Sequence, residues 1–145
     1  MSLARALAKE HVTVAAFDDG PFRRGDRWAA LAGVLFTTPG TVAALALGRV
    51  RVDRLDVTSA LLRLLRRPGF ERGARAIVLD GISFAGFNLV DLPELARAAG
   101  RPVLTVTRDR PDRAALRRAL RRYFPRTAEE RERRLRARPL FPVDL

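Results

Sequence analysis

Apolar residues recur along this chain in two rhythms, and the change from one to the other divides it. The run VTVAAF (12–17) is apolar at nearly every position, the pattern of a strand covered on both faces. Asp18-Asp19-Gly20-Pro21 breaks it. WAALAGVLF (28–36) reads as a second strand, although its alanines also suit a helix. After the turn signal Thr37-Thr38-Pro39-Gly40, VAALALGRVRV (42–52) reads as a third strand, whose end alternates Val50 and Val52 with Arg49 and Arg51. Short turns between these runs predict an antiparallel meander.

The spacing then becomes helical. Val57, Ala60, Leu61, Leu64 and Leu65 share one face, Asp56 precedes them as an N-cap, and Pro68-Gly69 ends the helix. AIVLD (76–80) is a buried strand followed by a loop, GISFAGFN (81–88). Asp91-Leu-Pro-Glu94 has capping-box spacing, with Gly100 closing that helix. PVLTVT (102–107) supplies the fifth strand. From Ala114 to Phe124 a helix is predicted with Leu116, Ala119, Leu120 and Tyr123 inward and Arg113, Arg117 and Arg121 outward. The order β-β-β-α-β-α-β-α predicts an α/β fold: three antiparallel strands, then parallel βα units, in one five-stranded mixed sheet flanked by helices. Strand 1 is central and strand 4 parallel to it, the ribonuclease H-like arrangement. A single domain over 1–145 is expected, with a charged tail from about 126 that is flexible or docked.

Charge sharpens this picture. Lys+Arg 28 against Asp+Glu 16 leaves +12, and thirteen arginines against five acids fall within 108–138. Such a surface attracts polyanions, which favours a nucleic-acid partner, while any single arginine is as readily a solvated one. No apolar run is long enough to span a membrane, the N-terminus makes a poor signal peptide, and cysteine is absent. A cytoplasmic protein is expected.

The chemistry gathers where two buried strands end. Asp18 follows VTVAAF and Asp80 follows AIVL, so parallel neighbouring strands bring both to the sheet edge where open α/β sheets bind ligands. Singly, an aspartate there is as often a turn residue or a cap. Two adjacent carboxylates repel, and a divalent cation with a preference for hard oxygen ligands relieves that repulsion. Asp19 is a further candidate ligand, whereas Asp53 and Asp56 are less secure and Asp91 reads as a cap. In the following loop, Gly81 and Gly86 permit close backbone approach, Phe84 and Phe87 offer rings to a base, and Asn88 offers an amide to a phosphate or base edge. Core packing is the competing reading for each ring. The glycines follow no P-loop or dinucleotide spacing, so no nucleotide cofactor is expected.

The stretches FDDGPF (17–22), DVT (56–58), LDGISFAGFNLVDLP (79–93) and PVLTVTRDRPD (102–112) closely resemble the archaeal endonuclease dU family, related to endonuclease V. The resemblance implies a ribonuclease H-like fold and Mg²⁺-dependent cleavage, with Mn²⁺ as a substitute, near a deaminated base (uracil or hypoxanthine) in DNA repair. It matches Asp18 and Asp80 to the strand-1 and strand-4 aspartates. Asp56 is taken as the third acidic residue, where endonuclease V has a glutamate, and Ile82 stands where endonuclease V has a histidine. DNA is the expected partner, with RNA as the alternative, contacted by Gly81, Phe84, Gly86, Phe87, Asn88, Arg113, Arg117 and Arg121. The competing reading is a non-catalytic nucleic-acid-binding module of the same fold.

Overall fold

The computed structural model describes residues 11–38, 40–110, 112–136 and 141. The chain divides into two compact units, the first ending at Asp109 and the second beginning at Arg110.

In the first unit, β1 (Thr13–Asp19), β2 (Trp28–Thr37), β3 (Thr41–Arg51), β4 (Ala76–Asp80) and β7 (Val103–Val106) form one sheet in the order β3-β2-β1-β4-β7. The β3–β2 and β2–β1 pairs are antiparallel, and β1–β4 and β4–β7 are parallel. The mixed five-stranded sheet with a central first strand is the expected ribonuclease H-like arrangement. Alternation along the strands gives the sheet two unlike faces. Ala15, Phe17, Leu31, Leu35, Ala46, Val50, Ile77 and Leu79 are buried on one. Against them lie α1 (Val57–Leu65), α2 (Pro68–Gly73) and α3 (Leu92–Ala99), whose Leu61, Phe70 and Leu95 are all at most 1% exposed. Gly33 is needed here for a steric reason, because a Cβ at that position would collide with the Phe17 ring.

Two local expectations were incomplete. Pro68-Gly69 ends α1 but also starts α2: Pro68 occupies the first helical turn, where its missing N–H has no partner to lose. The loop after Asp80 folds into a small hairpin of β5 (Ser83–Phe84) and β6 (Asn88–Leu89), closed in part by the Ser83 hydroxyl donating to the Gly86 carbonyl. Asp91 caps α3 as expected, its Oδ1 accepting from Glu94 N at 3.1 Å, but its own N–H goes to Thr58 Oγ1 at 2.9 Å rather than to Glu94. Gly100 ends that helix at φ 63°.

The second unit contains α4 (Arg113–Tyr123) and α5 (Ala128–Arg134), so part of the charged tail is helical. Leu120 is buried on α4, but Tyr123, expected inward, is 64% exposed. The helix ends at Tyr123, and Phe124 lies under the Arg131 guanidinium at 4.2 Å instead. Residues 142–145 of the apolar end, and 139–140 before Phe141, lie outside the described residues.

Candidate functional site

Parallel register builds the acidic edge. Phe17 pairs with Leu79, so one step further Asp18 stands beside Asp80, both on the face away from the core and both exposed. Asp19 alternates back toward the helical face and is half-buried. Burial pushes the Asp19 carboxyl above the ordinary carboxylate range, and the negative charges of Asp18 and Asp80 push it the same way. Its hydrogen bond from Ala85 N, 2.9 Å to Oδ2, only partly opposes this. Neighbouring strand ends therefore hold three carboxylates, none ion-paired to a described residue.

The β5–β6 hairpin is stitched to this edge through strained backbone. Among described residues, Asp53 (φ 56°) and Ala85 (φ 43°) are the non-glycine positions with positive φ. They bond each other, Asp53 N donating to Ala85 O at 2.9 Å, while Asp53 Oδ1 accepts from Phe87 N at 2.9 Å. Left-handed non-glycine backbone persists only where its surroundings over-determine it, and such positions gather at functional sites. Ala85 thus joins Asp19 on one side to Asp53 on the other.

The loop residues expected to meet nucleic acid separate into two groups. Phe84 is fully buried in the core, because the hairpin turns its ring inward. Asn88 is also fully buried and is a structural junction, not a ligand contact. Its Oδ1 accepts from Val57 N at 3.1 Å, and its Nδ2 donates to Arg51 O at 2.8 Å and Asp56 Oδ1 at 2.7 Å. Asn88 therefore caps α1 from a distant part of the chain, whereas the preceding Asp56 makes no side-chain cap bond. At Gly86, φ 82°, an added Cβ would run into Asp53 Oδ1. Gly81, φ 76°, faces open space, and Phe87 remains part-exposed.

Asp56 is engaged elsewhere: Asn88 holds one carboxylate oxygen, and Arg51 Nε lies 3.7 Å from the other. Among the described residues, no group of three or more histidine, aspartate or glutamate side chains stands where it would hold a metal ion. Asp18 and Asp80 supply hard oxygen donors of the kind Mg²⁺ uses when one or two carboxylates anchor it and water or phosphate completes the shell, whereas Asp19 faces the helices and accepts from Ala85 N. On donor chemistry, Asp18 and Asp80 fit that ion.

In the second unit, Arg117 and Arg121 are exposed and Arg113 is half-buried. Arg121 makes a two-point pair with Glu132 (2.7 and 3.3 Å), whose carboxyl is lowered by Arg121 first and by Arg117 as well. Arg133 and Arg134 similarly hold the Glu130 carboxyl at about 2. Part of the arginine excess of the tail is thus neutralised within the unit.

The profile of one family, endonuclease dU, matches residues 10–142. The chain belongs to the endonuclease dU family. It is 36% identical to a UPF0215 protein of Pyrococcus horikoshii over 119 residues, 80% of this chain and 61% of that protein. A UPF0215 protein of Methanopyrus kandleri is 36% identical over 135 residues, 93% of this chain and 68% of that protein. A crystal structure from Archaeoglobus fulgidus superposes with TM-score 0.76 at 30% identity, covering 86% of this chain and 68% of that one. Endonuclease V of Ciona intestinalis, solved with DNA containing an inosine followed by a ribo-adenosine, matches at TM-score 0.55 and 14% identity. That match covers 74% of this chain and 49% of that one, and it establishes a shared fold. The chain thus spans about three-fifths of its Pyrococcus relative. None of its described helices is long and apolar enough to cross a membrane.

Proposed function

We propose that this member of the endonuclease dU family is a metal-dependent endonuclease that cleaves a phosphodiester near a deaminated base, uracil or hypoxanthine, in DNA repair. The observation that carries this reading is the side-by-side placement of Asp18 and Asp80 at the carboxyl ends of adjacent parallel strands, beside an Asp19 carboxyl raised first by burial and then by their charges. Two carboxylates at one sheet edge, completed by water and a phosphate, are the donor set that Mg²⁺ favours. Mg²⁺, or Mn²⁺ in its place, would be held by Asp18 and Asp80, and when bound supplies charge stabilisation at the phosphoryl group and an activated water. Asp19 fixes the Ala85 backbone, and through it Asp53 and the loop carrying Phe87. The part-exposed Phe87 ring of that loop suits stacking on a base.

The non-catalytic alternative, a nucleic-acid-binding module of the same fold, is favoured by one observation. Asp56, the third acid that the family resemblance suggested, is committed to Asn88 and Arg51. Incubating the purified protein with labelled uracil-, hypoxanthine- and undamaged oligonucleotides of DNA and RNA, with Mg²⁺, Mn²⁺ or EDTA, separates the two. Metal-dependent cutting near the modified base supports the endonuclease. Binding without cutting under every condition supports the module.

A further inference from the structure

We propose that the β1–β2 hairpin tip and the arginine-stacked Trp28 beside it form a phosphate-gripping surface, which holds a nucleic-acid strand across the Asp18–Asp80 edge. The nature of the partner rests on the nuclease reading; the surface itself is an independent observation. After Asp19, Gly20 N donates to Ala30 O (2.9 Å), extending the β1–β2 pairing by one step, and on the other edge of β2 Val52 N donates to Arg27 O (3.1 Å), so both neighbours hold the base of the hairpin tip. Its tip is a closed turn. Asp26 N donates to Arg23 O at 3.0 Å, Arg23 N donates to Asp26 Oδ2 at 2.6 Å, and Gly25 takes φ 95°. Residues 21–27 are all exposed, and Arg23, Arg24, Arg27 and Arg49 have no ion-pair partner among the described residues.

Register places Trp28, Arg49 and Arg51 on the face that carries Asp18. Asp18 pairs with Ala32, Ala32 with Leu47, and Trp28 with Arg51. Side chains two apart share a face, so Asp18, Trp28, Arg49 and Arg51 project from the same side of the sheet, opposite the helices. Moving from Ala32 to Trp28 covers four strand residues, about 13 Å at about 3.3 Å each, in the direction in which β1 leaves its Asp18 end. That is roughly four phosphates at the 3.4 Å rise per strand of a duplex. The Arg49 and Arg51 guanidinium carbons lie 4.4 and 5.3 Å from the Trp28 ring centroid. Stacking holds a guanidinium flat while leaving its in-plane N–H fork to meet a phosphate, and a side chain already ordered loses less freedom on binding. Arg51 is partly spent on Asp56; Arg49 is not.

The test measures binding in EDTA, so that no strand is cut. One variant carries Arg23→Gln, Arg24→Gln, Arg27→Gln and Arg49→Gln. A second removes the same charge from exposed arginines of the first unit elsewhere, through Arg63→Gln, Arg66→Gln, Arg72→Gln and Arg75→Gln. Affinity for labelled single-stranded DNA, duplex DNA and RNA is followed by anisotropy between about 50 and 200 mM salt, where phosphate binding is most salt-sensitive. The hairpin variant is expected to bind at least about tenfold more weakly than the second. Its salt slope on a single strand should be shallower by about 0.7 for each phosphate that is no longer neutralised. Trp28 is the sole tryptophan, so wild-type binding should also change its fluorescence. Equal losses in the two variants, or binding that leaves Trp28 emission unchanged, overturn the proposal. A wild type that binds in this way but never cuts removes the nuclease reading and leaves the surface standing.

Discussion

Replacing Asn88 with alanine separates a structural amide from a ligand-binding one. Asn88 is fully buried and makes three hydrogen bonds that join β3, the N-terminus of α1 and the β5–β6 hairpin. Asn88→Ala leaves Val57 N, Arg51 O and one Asp56 oxygen without that partner. Two neutral bonds at about 1 kcal/mol each and one to a carboxylate at about 1.5–3 kcal/mol give an upper figure near 5 kcal/mol. The Asp56 side chain is 31% exposed, so water replaces part of the last bond. A net loss of about 3 kcal/mol is the expectation, a drop of roughly 10 °C in Tm for a chain of this size. Urea and thermal unfolding measure it. Asn88→Asp adds a sign that can be checked. The new carboxyl accepts from Val57 N but loses both donors, and it is buried beside Asp56. Its folded pKa is raised above its unfolded value, so the folded state binds the extra proton and stability falls as pH rises between the two values. The gap to wild type should narrow as pH is lowered from neutral towards the unfolded value of about 3.9. A loss under about 1 kcal/mol for Asn88→Ala, accompanied by weakened oligonucleotide binding, refutes the structural role and restores the amide to the ligand.

Three further outcomes are expected. Asp19→Asn keeps an acceptor for Ala85 N and removes a carboxyl whose pKa is raised by burial and by Asp18 and Asp80. Because that raised value makes the charged form destabilising, the variant should melt higher than wild type above pH 5 without metal, with the gain vanishing below the unfolded pKa near 3.8; equal melting at pH 7 removes the electrostatic argument. Asp18→Asn or Asp80→Asn should lower metal-dependent cleavage at least about 100-fold, since several kcal/mol of charge stabilisation goes with the cation, while strand binding persists. Undiminished cutting by either variant moves the chemistry elsewhere. Gly86→Ala imposes a side chain at φ 82° against Asp53 Oδ1 and should destabilise by about 2 kcal/mol or more, through left-handed strain and loss of the Phe87 N bond; unfolding measurements that show no loss would mean that the loop re-forms around the methyl group.

The strand order is legible in the sequence because burial leaves a local trace. AIVL and VTVAAF are mainly apolar because β4 and β1 are interior strands of the sheet, with one face buried under the helices and the other only partly exposed before Asp18 and Asp80, and the short connections 20–27 and 38–40 leave an antiparallel meander as the simple solution. Parallel pairing of β1 with β4 then follows from the crossover, which is why the sequence alone joins Asp18 to Asp80. The side-chain partners leave no such trace. Asn88 binds residues 31, 32 and 37 positions away, and an amide that caps a remote helix has the same local sequence as one waiting for a phosphate. Phe84 suits a base or the core equally well in sequence, and only the inward turn of its hairpin distinguishes the two. The arginines obey the same rule: 108–138 holds the densest charge, yet Arg121, Arg133 and Arg134 are met by Glu132 and Glu130. Arg49 is remote in sequence from Asp18 and Trp28, and it joins their face of the sheet only when β2 pairs with β1 and β3. Periodicity records which face of an element is buried, a property of neighbours in sequence; which polar group meets which is set by pairing across the fold, where sequence distance carries no information.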